Sequence, residues 1–135
     1  MSARELVARV PLFANLSEDA SARIVRQLRP RLTLPEGLIV RKGERGESMF
    51  FIASGAVRIV IPGGDVELGS GDFFGELALI TGRPRVTDVV SLGFCQLLEL
   101  GASDFRALLA KDPALKAQIE AVANQRLGVS VAAAK

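Results

Sequence analysis

Residues able to handle an anion gather in one stretch, Gly71-Asp72-Phe73-Phe74-Gly75-Glu76-Leu77-Ala78-Leu79-Ile80-Thr81-Gly82-Arg83-Pro84-Arg85. Glu76 to Ile80 has the propensity for a single helical turn, which Gly82 and Pro84 stop. The free N–H groups of Glu76, Leu77 and Ala78 at the start of that turn would face one phosphate. Gly75, lacking a side chain, lets the phosphate approach the backbone closely. Arg85, nine residues beyond Glu76, can return to offer a charge-assisted fork. The Glu76 carboxylate would repel a phosphate at the same spot, but it suits a neighbouring pair of sugar hydroxyls, from which it can accept hydrogen bonds. A purely structural arrangement fits the spacing equally: Glu76 caps its turn and Arg85 pairs with it as a salt bridge. Spacing alone leaves the two open.

Composition removes several other chemistries. The 135 residues (14.4 kDa) include one Cys and no His, Trp or Tyr. Histidine-ligated metal sites and His-dependent nucleophilic triads are therefore excluded within the chain, so no catalytic or metal-ligating residue is expected. Cys95 has no partner for a disulfide within the chain. Apolar residues make up 49% and charged residues 24%, a globular balance. Seventeen Lys+Arg against 15 Asp+Glu leave +2, a weak footprint for nucleic acid, and the Tyr and Trp that stack on bases are missing. The modest cluster Arg23, Arg26, Arg29 and Arg31 reads as the wet face of a helix and its exit. No stretch approaches the roughly 20 apolar residues that span a bilayer, and Met1 to Arg9 has no signal-peptide core. Neither nucleic-acid binding nor membrane insertion by this chain is expected.

The elements that must position the anion-handling residues run helix, sheet, helix. Residues 3–9 read as a short helix ended by Pro11, followed by an apolar knot of Val10, Leu12, Phe13 and Leu16 around a turn. Ser17 is the N-cap of a helix over 18–28, with Glu18 and Asp19 in its first turn and an apolar stripe of Ala20, Ile24, Val25 and Leu28. Short β-prone runs follow at 32–34, 38–41, 49–53, 56–61, 66–68, 86–92 and 94–100, parted by Gly- and Pro-rich turns, a pattern of a sandwich or small barrel. Ser54-Gly55 resembles a two-residue hairpin turn. Ser103 reads as the cap of a helix carrying Phe105, Leu108 and Leu109, and Asp112-Pro113 as the start of another. In that last helix Leu115, Ile119 and Val122 recur at helical spacing and Arg126 continues their face. The expected organisation is a helical segment 1–30, a β segment 31–100, C-terminal helices 101–128 and a flexible Ala-rich tail 129–135.

On these motifs the chain resembles the cyclic nucleotide-binding domains, shared by the catabolite activator protein, the regulatory subunits of protein kinase A and cyclic nucleotide-gated channels. The resemblance runs from residue 10 to about 126. It starts at Val10-Pro11-Leu12-Phe13-Ala14-Asn15-Leu16 and continues through Gly43-Glu44-Arg45-Gly46-Glu47-Ser48-Met49-Phe50-Phe51-Ile52 and Ser54-Gly55-Ala56-Val57. It peaks at Phe74-Gly75-Glu76-Leu77-Ala78-Leu79 and Pro84-Arg85. It implies a mainly β fold with flanking helices: an eight-stranded jelly-roll β-barrel with an inserted one-turn helix, N-terminal helices and two C-terminal helices. A phosphate-binding cassette, here Gly75 to Val86, would lie between strands six and seven. The N–H groups of Glu76, Leu77 and Ala78 would face a cyclic phosphate, Glu76 would hold the ribose 2′-hydroxyl and Arg85 an equatorial phosphate oxygen. The last helix would close as a lid over the purine, with Arg126 on the base; a solvent-facing Arg126 near a helix end is the plain alternative. Phe74, Leu77, Val57, Ile59 and Val86 read first as core packing, and one or two of them would floor the base pocket.

One departure from the family stands beside the motif. The arginine is usually followed by Ser or Thr and then Ala, whereas this chain has Arg85-Val86-Thr87-Asp88-Val89. Val86 removes a hydroxyl that contacts phosphate and, as Thr, favours cGMP, a loss of about 1 kcal/mol or roughly fivefold in affinity. Asp88 adds a negative charge near the site. Without Thr after Arg85 the expected ligand is cAMP in preference to cGMP, with no further cofactor. The resemblance is strongest to the C-terminal domain of bacterial cyclic nucleotide-gated channels, potassium-selective or mechanosensitive-type. It implies a sensor on the cytoplasmic side of an inner-membrane protein, attached to channel segments upstream and oligomeric in the full-length protein. The competing readings are a regulatory module of a soluble enzyme or transcription factor, and a degenerate domain that binds partners without ligand.

Overall fold

Two helices lead the chain in the computed structural model, which describes residues 3–8, 10, 13–14 and 16–134. They are α1 (Ala3–Ala8) and α2 (Glu18–Gln27). Arg9, Pro11, Leu12 and Asn15 of the expected opening lie outside the described residues, while Val10 and Phe13 of the apolar knot are buried. Ser17 caps α2 by accepting a hydrogen bond from the N–H of Ala20 at 3.2 Å, and Glu18 and Asp19 follow in the first turn. The helix buries Ile24 and is followed at once by a strand, so Pro30 sits inside β1 (Arg29–Thr33) and not in a loop. β1 is an edge strand, where a residue with no N–H to donate is tolerated.

Seven more strands follow: β2 (Leu38–Val40), β3 (Ser48–Ser54), β4 (Val57–Val60), β5 (Val66–Leu68), β6 (Phe73–Phe74), β7 (Asp88–Ser91) and β8 (Cys95–Gly101). Helix α3 (Glu76–Thr81) separates β6 from β7, and α4 (Ala102–Lys111) and α5 (Pro113–Ala134) follow β8. All strand pairs are antiparallel. The expected eight-stranded jelly-roll barrel is not formed: the strands make two separate four-stranded sheets, ordered β1-β8-β3-β6 and β2-β7-β4-β5. Closing a barrel requires every edge strand to find a partner. Here β1 and β6 end one sheet and β2 and β5 the other, β6 is only two residues long, and α3 begins where it stops. The architecture is thus mainly β with flanking helices, two open sheets and no closed barrel.

Two local expectations are also corrected. Ser54-Gly55 does not turn a hairpin, because β3 and β4 belong to different sheets and the chain crosses between them at Gly55. Ser103 does not cap α4; the cap position falls two residues earlier, at Gly101, and the helix starts at Ala102. Asp112 does cap α5, accepting from the N–H of Leu115 at 3.0 Å.

The central strands β3 and β8 of the sheet β1-β8-β3-β6 are covered on both faces, while β1 is exposed along most of its length. On one face Phe50 and Ile52 of β3 and Cys95 and Leu97 of β8 meet Val40, Val57 and Val89 of the other sheet. On the opposite face Met49, Phe51, Leu98 and Leu100 meet Ile24 of α2, Phe105 of α4 and Leu115 and Ile119 of α5. This explains why β3 reads as an unbroken apolar run with no alternation. Among the described residues no helix is long and apolar enough to cross a membrane.

The sheet crossing generates a prediction. Gly55 has φ +94°, and a Cβ there would lie 2.6 Å from the Phe94 carbonyl oxygen and 2.9 Å from Cys95 Sγ. Gly63 has φ +91° with nothing within 4 Å of its Cβ position. Gly63→Ala should cost only the left-handed strain, about 1–2 kcal/mol, whereas Gly55→Ala adds a backbone clash and should cost about 3 kcal/mol or more. Urea midpoints of the two variants test the order, and equal losses would show that the crossing is not closely packed.

Candidate functional site

Gly75 leaves β6 in the left-handed region (φ 90°) and Gly82 ends α3 in the same region (φ 70°). Between them the expected single turn runs one residue further, to Thr81, whose hydroxyl donates to the Leu77 carbonyl at 2.7 Å. Only glycine fits at position 75, since a Cβ would come within 2.9 Å of Arg85 Nη1. The start of α3 therefore has no side-chain cap from position 75, and the Glu76 backbone lies within hydrogen-bond reach of its own carboxylate.

Arg85 is held from both backbone and side chain. Its N–H donates to the Glu44 carbonyl and its carbonyl accepts from the Gly43 N–H, each at 2.8 Å. Its Nη1 donates to the Gly75 carbonyl and its Nη2 to the Ser48 carbonyl, both at 2.7 Å. A guanidinium has five N–H donors, so donors remain for a ligand. Burial pulls the Arg85 pKa below its ordinary value, against the opposing pull of Glu76, then Glu99 and Glu44. The structural alternative of a Glu76–Arg85 salt bridge is not what the fold builds.

Glu76 pairs with Arg126 instead. Its side chain is 1% exposed, and Arg126 Nη1 donates to Glu76 Oε1 at 2.8 Å. Arg126 also stacks its guanidinium 4.9 Å from the Phe73 ring centre. It is thus not a solvent-facing residue at a helix end. Burial pushes the Glu76 carboxyl above its ordinary value of 4.5, and Arg126 is the main influence opposing that rise.

These groups border a cavity of about 330 Å³, within the range of small-molecule pockets. Its charged lining consists of Glu76, Arg85 and Arg126, a net positive charge. Of the site residues expected from sequence, Phe74, Gly75, Glu76, Leu77, Ala78, Arg85, Val86 and Arg126 all border it. Val57 does not: it is fully buried between the sheets, further along the strand face that carries Ile59 to the cavity. Phe74 does both jobs, stacking on Phe50 at 5.1 Å in the core while forming part of the wall. Asp88 is turned away, its carboxylate accepting from the Lys42 N–H at 2.6 Å. Residues not anticipated include Ile61, Val66 and Leu68 around β4 and β5, and Val122 and Gln125 of α5. Apolar alternation in 57–68 carries a signal for the first group. The Ser48 carbonyl carries none, because any residue type supplies one. No cluster of three or more His, Cys, Asp or Glu side chains able to hold a metal ion occurs among the described residues.

Comparison with known proteins fits this geometry. The family model described as "Cyclic nucleotide-binding domain" matches residues 33–112. A cyclic nucleotide-gated potassium channel of Rhizobium etli is 46% identical over 124 residues, which is 92% of this chain and 35% of the channel. One from Mesorhizobium japonicum is 42% identical over 130 residues, 96% of this chain and 36% of the channel. The chain thus spans about a third of the length of these relatives. The cAMP-bound regulatory domain of Toxoplasma gondii protein kinase A superposes with a TM-score of 0.80 at 23% identity, over 90% of this chain and 48% of that one, which shows a shared fold. These matches are to regulatory modules and not to catalytic domains.

The raised carboxyl predicts an unusual pH response. A carboxyl with a higher pKa in the folded chain binds more protons folded than unfolded, so its contribution is fully present below the unfolded value and is lost as pH rises through the folded value. Glu76→Gln mimics the protonated form and should raise the melting temperature at neutral pH, with the gap to the parent closing as pH falls through the Glu76 titration. Melting curves across pH check this; a less stable Glu76→Gln at neutral pH would show that the ion pair outweighs desolvation.

Proposed function

The chain belongs to the cyclic nucleotide-binding domain family, related to bacterial cyclic nucleotide-gated channels, and from that premise we propose that it is the cyclic nucleotide sensor of such a channel. The observation that carries this reading is the meeting, in one cavity, of the open start of α3, the Arg85 guanidinium, the Glu76 carboxylate and Arg126 of α5. The cyclic phosphate sits on the N–H groups of Glu76, Leu77 and Ala78 and takes the free donors of Arg85. The ribose 2′-hydroxyl donates to Glu76. The purine lies against the apolar wall that Val86 helps form, beneath Arg126. A bound anion is favoured because the cavity holds two guanidinium groups against one carboxylate.

cAMP is preferred over cGMP because Val86 presents methyl groups where the family usually has a hydroxyl. Asp88 does not oppose the ligand, being held on Lys42 outside the cavity. Ligand contact with Arg126 competes with or reinforces its hold on Glu76, and so biases α5 between positions. In the full-length protein that bias gates an attached potassium channel in a bacterial inner membrane, with this domain on the cytoplasmic side.

Titration calorimetry with cAMP and cGMP tests the reading directly, and no heat from either at near-millimolar ligand would sink it. Arg85→Lys keeps the charge but loses the fork. It should weaken cAMP binding by about 2 kcal/mol, near thirtyfold, while the melting curve confirms that the variant is folded. Unchanged affinity would remove Arg85 from the phosphate. Val86→Thr should raise cGMP affinity relative to cAMP by about fivefold, and no change in the ratio would separate Val86 from base preference.

A further inference from the structure

Behind the cassette lies a second concavity of different character. It measures about 510 Å³ and is bordered by Arg45, Arg83 and Arg106, with Glu47 as its one carboxylate. All four of these side chains are exposed. The backbone beneath them is compact: Gly43, Gly46 and Gly82 leave the floor free of side chains, and Ala78 of α3 is common to this concavity and the nucleotide cavity.

The charges here are unspent. Arg31, Arg41 and Arg58 elsewhere on the surface each face a carboxylate. None of Arg45, Arg83 and Arg106 has an ion-pair, hydrogen-bond or ring partner through its side chain among the described residues. Three segments distant in sequence, the β2–β3 loop, the loop after α3 and the first half of α4, thus bring three free guanidinium groups to one hollow. Three guanidinium groups against the single Glu47 carboxylate leave the hollow with an excess of positive charge, and an anion relieves the repulsion among them.

We propose that this hollow is a second, separate anion site that takes a compact phosphate-rich group, either the head group of an anionic lipid or a soluble polyphosphate. Guanidinium forks match phosphate oxygens in geometry and charge. The lining offers Ala and Pro but no large apolar side chain, so it lacks the buried anchors that hold a protein segment. It also lacks an aromatic surface for a base. The site stands apart from the proposed nucleotide function, since none of its charged residues borders the nucleotide cavity.

The test uses the 135-residue chain, isotope-labelled and free of nucleotide, titrated with pyrophosphate while amide shifts are mapped. Shifts are expected around Gly43–Glu47, Thr81–Arg83 and Ala102–Arg106. The double variant Arg83→Gln/Arg106→Gln should lose these shifts, with pyrophosphate affinity down at least about tenfold. Phosphatidylcholine vesicles with and without phosphatidylglycerol form the second arm: retention on the anionic vesicles, lost in the double variant, assigns a lipid head group, and pyrophosphate binding without retention assigns a soluble polyphosphate. Shifts confined to Gly75–Ala78 and Arg85 would overturn the proposal, as would a response of the hollow to an oligoglutamate peptide but to neither phosphate probe. No response of these residues to pyrophosphate or to anionic vesicles would overturn it as well.

Discussion

The Arg85 guanidinium is the clasp on which this fold's site depends. One side chain bonds the carbonyl at the end of β6 and the carbonyl at the start of β3, while its backbone is stitched to Gly43 and Glu44. The space around it is fitted so closely that two glycines are obligatory. A Cβ at position 46 would lie 2.4 Å from the Ala78 Cβ and 3.2 Å from Arg85 Cζ, and one at position 75 would lie 2.9 Å from Arg85 Nη1. Satisfying those two carbonyls matters because an unpaired buried carbonyl costs about 1–3 kcal/mol. The same charge that fastens the loop thereby faces the cavity, so one group both anchors the backbone and sets the sign of the cavity wall.

The second charged contact works at a cost. Glu76 is almost wholly buried, and only Arg126 lies within ion-pair distance of it among the described residues. A buried pair of this kind is weak evidence of stabilisation, because desolvation offsets much of the attraction. Its value lies in position: it connects the short helix beside the cavity to the long C-terminal helix. The direction of the Glu76 shift says that burial outweighs the pairing, so the setting disfavours the charged form of this carboxyl. Such groups concentrate where a polar ligand is to be met.

Much of this site is legible in the sequence because its key residues are close together and chemically distinct. Gly75, Glu76, Gly82 and Arg85 lie within eleven residues, and the helix propensity of 76–80 between two glycines is a local signal. The capping residues Ser17 and Asp112 are readable for the same reason. What escapes reading depends on partners far along the chain. Arg126 sits on the expected face of its helix, but its bond to Glu76 spans fifty residues and is set by how α5 docks. Spacing offers Arg85 as the partner, and the fold uses Arg85 on carbonyls. Strand β6 is invisible because two phenylalanines between Asp72 and Gly75 show no period. Ser54-Gly55 looks the same locally whether the next strand pairs with β3 or joins the other sheet. Closure into a barrel is likewise a matter of which edges meet, a property that alternation within a strand does not encode.

The placement of β3 and β8 has a thermodynamic consequence. Each strand sends alternate side chains into the sandwich and into the helical layer, so the two apolar clusters share a single wall. Neither cluster can melt without stripping the other of the wall they share. The chain is therefore one cooperative unit and not a sheet domain with detachable helices. A molecule held at one end of the sandwich lowers the free energy of that whole unit by mass action. Its occupancy registers in the protection of amides as remote as those of α2, which never approach it.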